Sequence, residues 1–272
     1  MYAPAGHPSI VVGIDGSRAA IDAAVWAVDE AVMRDIPLRL LYAIEPDDFA
    51  EVPPDRAARK LAIAENAVRY ASTTAGAAEK PVRIEVEIVQ ERPTTALTRA
   101  SASAAMVCVG AVGLHHFRPE RAGSTAAAVA QAAHCPVAVI RRHGDRARSD
   151  EHWIAVDSHA SADSDAVIKT AMEEARLRGL PLRLISWAQR EGSDYPDRRL
   201  DRWRRHYPDV DVEATVSRGS LVEYLAGHGR KVRMVVIGHR NKAVVAELLG
   251  PAGNAVLHTA DCSLLIVDRP NL

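Results

Sequence analysis

Residues 106–125 read MVCVGAVGLHHFRPERAGST, and the prediction of the fold starts from this stretch. An apolar run from Ala105 to Val109 ends at Gly110, and such a run bounded by glycine predicts a buried central strand. Gly113 follows shortly, and Gly123 to Thr125 then open an alanine-rich helical pattern. The N-terminus of a helix presents unbonded N–H groups and the positive end of its dipole. Strand, glycine turn and helix start together predict a cradle for an anion.

The spacing of these glycines is more specific than any one of them. Glycines that end strands and a Ser or Thr at a helix start are ordinary turn chemistry when each occurs alone. The combined pattern is G-x2-G-x9-G-[ST], formed by Gly110, Gly113, Gly123 and Ser124. It is not a Walker A motif, because no Gly-Lys-Ser/Thr follows. It also differs from the dinucleotide fingerprint, whose glycines lie closer together.

Composition limits the class of protein. The chain has 272 residues, 48% of them hydrophobic, and a formal net charge of −1, which is typical of a globular protein with two ordinary domains or one large one. A near-neutral charge and 4% aromatic residues argue against a nucleic-acid partner. No apolar stretch is long enough to span a membrane, and the N-terminal residues lack the pattern of a signal peptide. We therefore expect a cytoplasmic protein without a membrane partner.

The cysteines favour neither disulfides nor a metal site. There are three, Cys108, Cys135 and Cys262, without CxxC spacing. An odd count of this kind argues against a disulfide framework or a zinc site. We expect small buried thiols and no protein metal site.

The first half alternates short apolar runs with helical patterns. The predicted strands are Ile10–Ile14, Leu38–Ile44, Val82–Val89, the run that ends at Val109, and Val137–Ile140. The predicted helices follow Ser17 and span Arg56–Ala75, Thr94–Ala102 and Ser124–Ala133. This alternation predicts an α/β fold, a doubly wound, five-stranded parallel sheet with helices on both faces.

The order of the strands follows from their hydrophobic pattern. The third strand alternates apolar and charged residues, as expected at a sheet edge, whereas the other runs are continuous. This favours the order 3-2-1-4-5, in which the first and fourth strands are neighbours. Ligands bind such sheets where the strand order reverses. The order therefore predicts that Asp15 lies beside Gly110.

The second half of the chain repeats the first. Residues 174–184, EARLRGLPLRL, correspond to residues 30–40, EAVMRDIPLRL. The polar segment between the halves has no apolar period and predicts an exposed linker. We therefore expect two similar domains of this fold, residues 1–143 and 152–272, joined by a linker at 144–151.

The two predicted cradles are not equivalent. In the second copy Asn241 stands where Gly113 stands, Pro251 replaces Ser124, and His159 falls at the position of Asp15. Proline lacks both an N–H and a hydroxyl, so one donor to a phosphate is lost, although proline suits the first turn of a helix. The second domain is therefore expected to fold normally and to bind nucleotide weakly or not at all.

The whole chain resembles a tandem universal stress protein of the two-domain type found in actinobacteria, including mycobacteria. The resemblance rests on three features: residues 12–17, VGIDGS, the glycine pattern above, and residues 134–137, HCPV, before the last strand. It implies an ATP-binding N-terminal domain and a degenerate C-terminal one. It also implies a homodimer, and we expect the last strands of the two domains, Val137–Ile140 and Leu264–Val267, to pair with each other or across that dimer.

The same resemblance assigns roles to individual residues. Asp15 is expected to lie against the adenine and ribose, and Ala43 at the place where the family often has a valine that touches adenine. Gly110 and Gly113 would let the backbone approach the ribose and phosphates. Gly123, Ser124 and Thr125 would supply N–H and hydroxyl groups to the phosphates. Magnesium, when bound, would be held mainly by phosphate and water oxygens.

The loop at 114–121 leaves two interpretations open. Its basic residues are His115, His116, Arg118 and Arg121. They could reach the outer phosphates of the ligand, or they could form a solvated basic surface.

Three functions agree with this pattern. The leading one is an ATP-binding stress-response regulator, in which the bound nucleotide orders the loop at 114–121 and changes a surface that an unknown regulatory protein reads. The second is a slow ATPase or an adenylyl-transferring enzyme, but the sequence shows no HxGH-type signature and no evident general base, so no catalytic residue is assigned. The third is a scaffold whose nucleotide is structural.

Overall fold

The computed structural model describes residues 8–46, 54–113, 123–141, 152–157, 164–187 and 195–267. The chain divides into two compact units, Met1–Arg141 and Arg142–Leu272. The predicted linker at 144–151 lies outside the described residues.

The first unit alternates strands and helices in the predicted order. Its strands are β1 (Ile10–Ile14), β2 (Leu38–Ile44), β3 (Ile84–Gln90), β4 (Met106–Gly110) and β5 (Val137–Ile140). Its helices are α1 (Arg18–Arg34), α2 (Pro54–Gly76), α3 (Pro93–Ser101) and α4 (Ser124–Ala132).

The sheet of this unit is parallel and has the strand order β3-β2-β1-β4-β5, which confirms the predicted doubly wound α/β fold. Ile10 pairs with Leu38 on one side and with Met106 on the other. β3 lies at the edge of the sheet, as its alternating sequence predicts, but Val86, on the apolar face of that alternation, is 51% exposed. The strand order reverses between β1 and β4, so the carboxyl ends of these two strands open a crevice.

Local sequence sets the position of α1. Ser17 caps the helix, and its hydroxyl accepts a hydrogen bond from the N–H of Ala20 at 3.1 Å. Asp35 ends the helix in the left-handed conformation, at φ 51°. The helical period of the sequence predicts an apolar face that includes Ile21, Ala24, Val28 and Ala31, which are buried, and Val25, which is 40% exposed.

Helix α2 differs more from its prediction. The helical period of residues 56–75 in the sequence predicts that Leu61 lies on the buried face. In the structure Leu61 is 45% exposed, and the first buried residue of the helix is Ala64. The buried stripe then continues through Val68 and Ala71. Within the described residues, the first turns of α2 therefore lie outside the packed core of the unit.

The second unit has the same topology. Its strands are β6 (Trp153–Asp157), β7 (Leu182–Trp187), β8 (Val212–Ser217), β9 (Val232–Gly238) and β10 (Ser263–Val267). Its helices are α5 (Ser164–Arg178), α6 (Tyr195–His206), α7 (Leu221–His228), α8 (Lys242–Leu249) and α9 (Pro251–Thr259). The strand order is β8-β7-β6-β9-β10, all parallel.

Because residues 242–249 of the second copy align with the loop at 114–121 of the first, the sequence predicts a loop there, but the structure forms helix α8. Residues 242–249, KAVVAELL, are mostly good helix formers, and Val245 and Leu248 bury their side chains. All three cysteines are buried, and they are not joined in disulfides. No helix in the described ranges has both the length and the apolar character needed to cross a membrane.

Candidate functional site

A cavity of about 560 Å³ opens at the carboxyl ends of β1, β2 and β4 in the first unit. This size is typical of small-molecule sites. All residues that the sequence predicted as nucleotide ligands line it: Asp15, Ala43, Gly110, Gly113, Gly123, Ser124 and Thr125. Residues that are far apart in the sequence thus meet where the strand order reverses.

Asp15 is held by the turn between β1 and α1. Gly16 adopts φ 84°, a left-handed conformation that glycine accepts readily, and this turns the chain directly after Asp15. The Oδ1 atom of Asp15 accepts a hydrogen bond from the N–H of Ser17 at 2.8 Å. A Cβ atom at Gly113 would lie only 2.7 Å from the Oδ2 atom of Asp15. Gly113 therefore leaves room for this carboxylate at the cavity wall.

Gly110 is required by packing. A Cβ atom there would lie 2.5 Å from the backbone carbon of Ala19 and 2.7 Å from the nitrogen of Ala20. The end of β4 thus touches the first turn of α1 without a side chain between them. This close contact brings the start of α1 and the end of β4 to the same edge of the cavity.

The start of α4 forms another wall. Gly123 is the N-cap residue of the helix, and glycine has no side chain with which to cap it. The N–H of Gly123 donates to the carbonyl of Ala111 at 2.9 Å, so this N–H is not the phosphate donor that we expected. The first turn of the helix lines the cavity with Ser124, Thr125 and Ala126. A helix start that lines a cavity favours an anionic group of a ligand.

The opposite end of the cavity carries residues that the sequence analysis missed. They are Tyr42, Glu45, Lys60, Ile63, Arg92 and Leu97. The Nζ atom of Lys60 donates to the carbonyl of Glu45 at 3.0 Å, and the Nε atom of Arg92 lies 3.9 Å from the Oε1 atom of Glu45. Ile63 falls outside the apolar period of α2, and that alone does not connect it with a binding site. The other residues belong to no recognisable motif.

The cavity environment changes the pKa of Tyr42. Partial burial raises the pKa of its hydroxyl above the ordinary value, and the nearby negative charge of Asp15 raises this pKa further. Tyr42 therefore stays neutral beside Asp15 in the physiological range.

The cavity offers little to a metal ion. Among the described residues, no group of three or more His, Cys, Asp or Glu side chains could hold one. The described carboxylates that line the cavity are Asp15 and Glu45. The loop at 114–121, with its histidines and arginines, lies outside the described residues.

The corresponding place in the second unit is built from different residues. Ile154 pairs with Leu182 and Met234 as Ile10 pairs with Leu38 and Met106, which fixes the correspondence of the strands. By this register Asp157, Trp187 and Asn241 occupy the positions of Gly13, Ala43 and Gly113.

These three side chains form a hydrogen-bonded network. The indole Nε1 of Trp187 donates to Oδ1 of Asp157 at 2.9 Å, and Nδ2 of Asn241 lies 3.4 Å from Oδ2 of the same carboxylate. Asp157 is buried, at 6% exposure. An indole and a carboxylate thus stand where the first unit has an alanine and a glycine. Pro251 begins α9, the counterpart of α4, and His159 lies outside the described residues.

Comparisons with known proteins agree on one family. A model described as the universal stress protein family matches residues 7–141. Universal stress protein Rv2028c of Mycobacterium tuberculosis (strain ATCC 25618 / H37Rv) is 54% identical over 272 residues, covering 97% of this chain and 98% of that protein. Universal stress protein Rv3134c of the same strain is 40% identical over 286 residues, with both chains fully covered. The crystal structure of a universal stress protein from Archaeoglobus fulgidus DSM 4304 is similar in fold, with a TM-score of 0.73, 16% identity and 97% of each chain covered.

Proposed function

Because this chain belongs to the universal stress protein family, we propose that its first unit binds an adenine nucleotide, ATP above all, and that the protein acts as a nucleotide-dependent stress-response regulator. The observation that supports the proposal most strongly is the convergence of the predicted ligand residues on one cavity. Asp15, Ala43 and the residues of the glycine pattern come from different strands and loops, yet all line the same space.

The two ends of the cavity suit the two ends of a nucleotide. The start of α4 supplies a positive dipole and hydroxyl groups from Ser124 and Thr125, which suit phosphates. Asp15 lies between this helix and β2, where a carboxylate can accept hydrogen bonds from ribose hydroxyls. The wall near Ala43 and Leu97 is apolar and suits the face of a base. Magnesium bound with ATP would rest mainly on phosphate and water oxygens, because the cavity presents few carboxylates.

We propose one nucleotide per chain. In the second unit, the indole of Trp187 and the carboxylate of Asp157 take up the positions that the first unit leaves empty of large side chains. A buried carboxylate also repels phosphates, and Pro251 has no N–H to offer them. The second unit therefore serves as a folded module without a nucleotide.

Isothermal titration calorimetry of the full chain with ATP, ADP, AMP and cyclic AMP tests the proposal. We expect saturable binding of ATP, and at least tenfold weaker binding for Asp15→Asn, which removes a charged acceptor. Asp22→Asn is the matched control, because Asp22 is paired with Arg18 and is not among the described residues that line the cavity. No binding of any nucleotide, or equal losses in the two variants, would exclude the proposed site.

A regulatory role also has a distinct signature. A regulator needs different affinities for ATP in two conformations, so ATP should slow amide hydrogen exchange near the cavity without steady release of phosphate. Continuous phosphate release that Asp15→Ala abolishes would instead identify an ATPase. We further propose a homodimer, as the family resemblance implies, and sedimentation equilibrium of the purified chain at a monomer mass would contradict it.

A further inference from the structure

The start of α2 is the most exposed part of the described helices in the first unit. Residues 54–63, here called the overhang, bury no side chain: all of them are exposed except Lys60, which is half-buried. A helix normally buries one apolar stripe along its length. The stripe of α2 begins only at Ala64. The overhang therefore has no buried apolar stripe of its own.

The overhang is placed at the mouth of the cavity. Lys60 and Ile63 both line the cavity, and the Nζ atom of Lys60 donates to the carbonyl of Glu45 at the end of β2, at 3.0 Å. This bond ties the overhang to the strand that carries Ala43. Ile63 is 58% exposed, which is unusual for a large aliphatic side chain that lines a binding cavity. An exposed apolar side chain that lines a cavity favours contact with an apolar part of a bound ligand.

We infer that Ile63 closes over the base of the bound nucleotide. This inference rests on the proposed function and adds the residue that covers the ligand on its solvent side. Leu97 of α3 also lines the cavity and lies against Gly13 of β1, so the planar base would contact aliphatic side chains from both α2 and α3. The phosphates lie at the other end, against α4. Ile63 therefore contributes through apolar contact with the base and is independent of the number of phosphates.

The chain supplies a matched control for this contact. Leu61 lies two residues away on the same overhang, is 45% exposed, and is not among the described residues that line the cavity. Ile63→Ala and Leu61→Ala remove similar exposed apolar groups from one helix. Because both side chains are largely exposed, neither substitution should lower the thermal stability of the unliganded protein measurably.

The experiment is calorimetry of AMP, ADP and ATP binding to the wild-type chain, Ile63→Ala, Ile63→Leu and Leu61→Ala. We expect Ile63→Ala to raise Kd about fivefold by the same factor for all three nucleotides, because the lost contact is with the base. Ile63→Leu should restore most of the affinity, and Leu61→Ala should stay within about twofold of wild type.

Two outcomes would overturn the inference while leaving the proposed function intact. One is wild-type affinity in Ile63→Ala, or equal losses in Ile63→Ala and Leu61→Ala. The other is a loss that grows with the number of phosphates, which would place Ile63 near the opposite end of the ligand. A wild-type chain that binds no nucleotide would overturn the proposed function and this inference together.

Discussion

The glycine pattern combines two physical roles, and alanine substitutions should separate them. A Cβ atom at Gly110 would meet backbone atoms of Ala19 and Ala20 at 2.5 and 2.7 Å. At Gly113 it would meet only a side-chain oxygen, Oδ2 of Asp15, at 2.7 Å. Gly110→Ala is therefore expected to destabilise the fold, whereas Gly113→Ala is expected mainly to displace the Asp15 side chain.

The magnitudes follow from these contacts. An ordinary contact needs about 3.4 Å, so Gly110→Ala must push the start of α1 from the end of β4 by roughly 1 Å, and overpacking of this kind costs about 3 kcal/mol. Gly113→Ala is relieved when the Asp15 side chain rotates, at the cost of part of its hydrogen bond from the N–H of Ser17, about 1 kcal/mol. Gly76→Ala is the control, because nothing lies within 4 Å of its added Cβ atom.

Urea unfolding followed by far-UV circular dichroism measures the difference, fitted with separate transitions for the two units. At an m-value of about 2 kcal/mol/M, Gly110→Ala should lower the midpoint of the first unit by about 1.5 M and Gly113→Ala by about 0.5 M. Gly113→Ala should nevertheless reduce nucleotide affinity at least tenfold, because Asp15 is displaced. Equal midpoints for Gly110→Ala and Gly76→Ala, or wild-type affinity in Gly113→Ala, would refute this reasoning.

Three further predictions concern stability and ionisation. Trp187→Phe removes the indole donor from the buried carboxylate of Asp157 and should destabilise the second unit by about 2 kcal/mol in urea unfolding; an unchanged midpoint would contradict the network. Ser17→Ala removes the cap of α1 and should cost the first unit about 1 kcal/mol, whereas a cost near zero would mean that the hydroxyl contributes nothing. Since the pKa of Tyr42 is raised in the folded state, its contribution to stability is complete below the ordinary tyrosine pKa and is lost as the pH rises through the folded value. Asp15→Asn should lower that pKa only in part, because burial is the larger cause; tyrosinate absorbance at 295 nm, with Tyr42→Phe as reference, measures it, and an unchanged pKa would contradict the contribution of the Asp15 charge.

Much of the fold could be predicted because local patterns and packing agree. The bounds of β1, β2 and β5 match their apolar runs, and the alternating pattern of β3 placed it at the edge. The prediction was wrong for Leu61 because periodicity describes a helix face without showing where the packed body of the unit ends. It was also wrong for the segment that forms α8, since the comparison of the two halves transferred a loop from the first copy.

The candidate site was only partly visible in the sequence. The glycine pattern and Asp15 have fixed spacings with a physical reason, so they could be recognised. Lys60, Ile63 and Arg92 could not, because they come from α2 and the start of α3 and only the tertiary fold brings them to the cavity. In the second unit, Asn241 and Pro251 were visible as departures from the pattern. Trp187 is an apolar residue of β7 in the sequence, and only the tertiary fold brings its indole to Asp157.

The most direct test of one nucleotide site per chain exchanges the residues that distinguish the two units. Native mass spectrometry of the full chain with ATP counts bound nucleotides for the wild type, Ala43→Trp and Trp187→Ala. We predict one nucleotide per chain for the wild type and for Trp187→Ala, and none for Ala43→Trp, because an indole at position 43 would occupy space in the first cavity. Two nucleotides on the wild-type chain, or full binding by Ala43→Trp, would contradict the account.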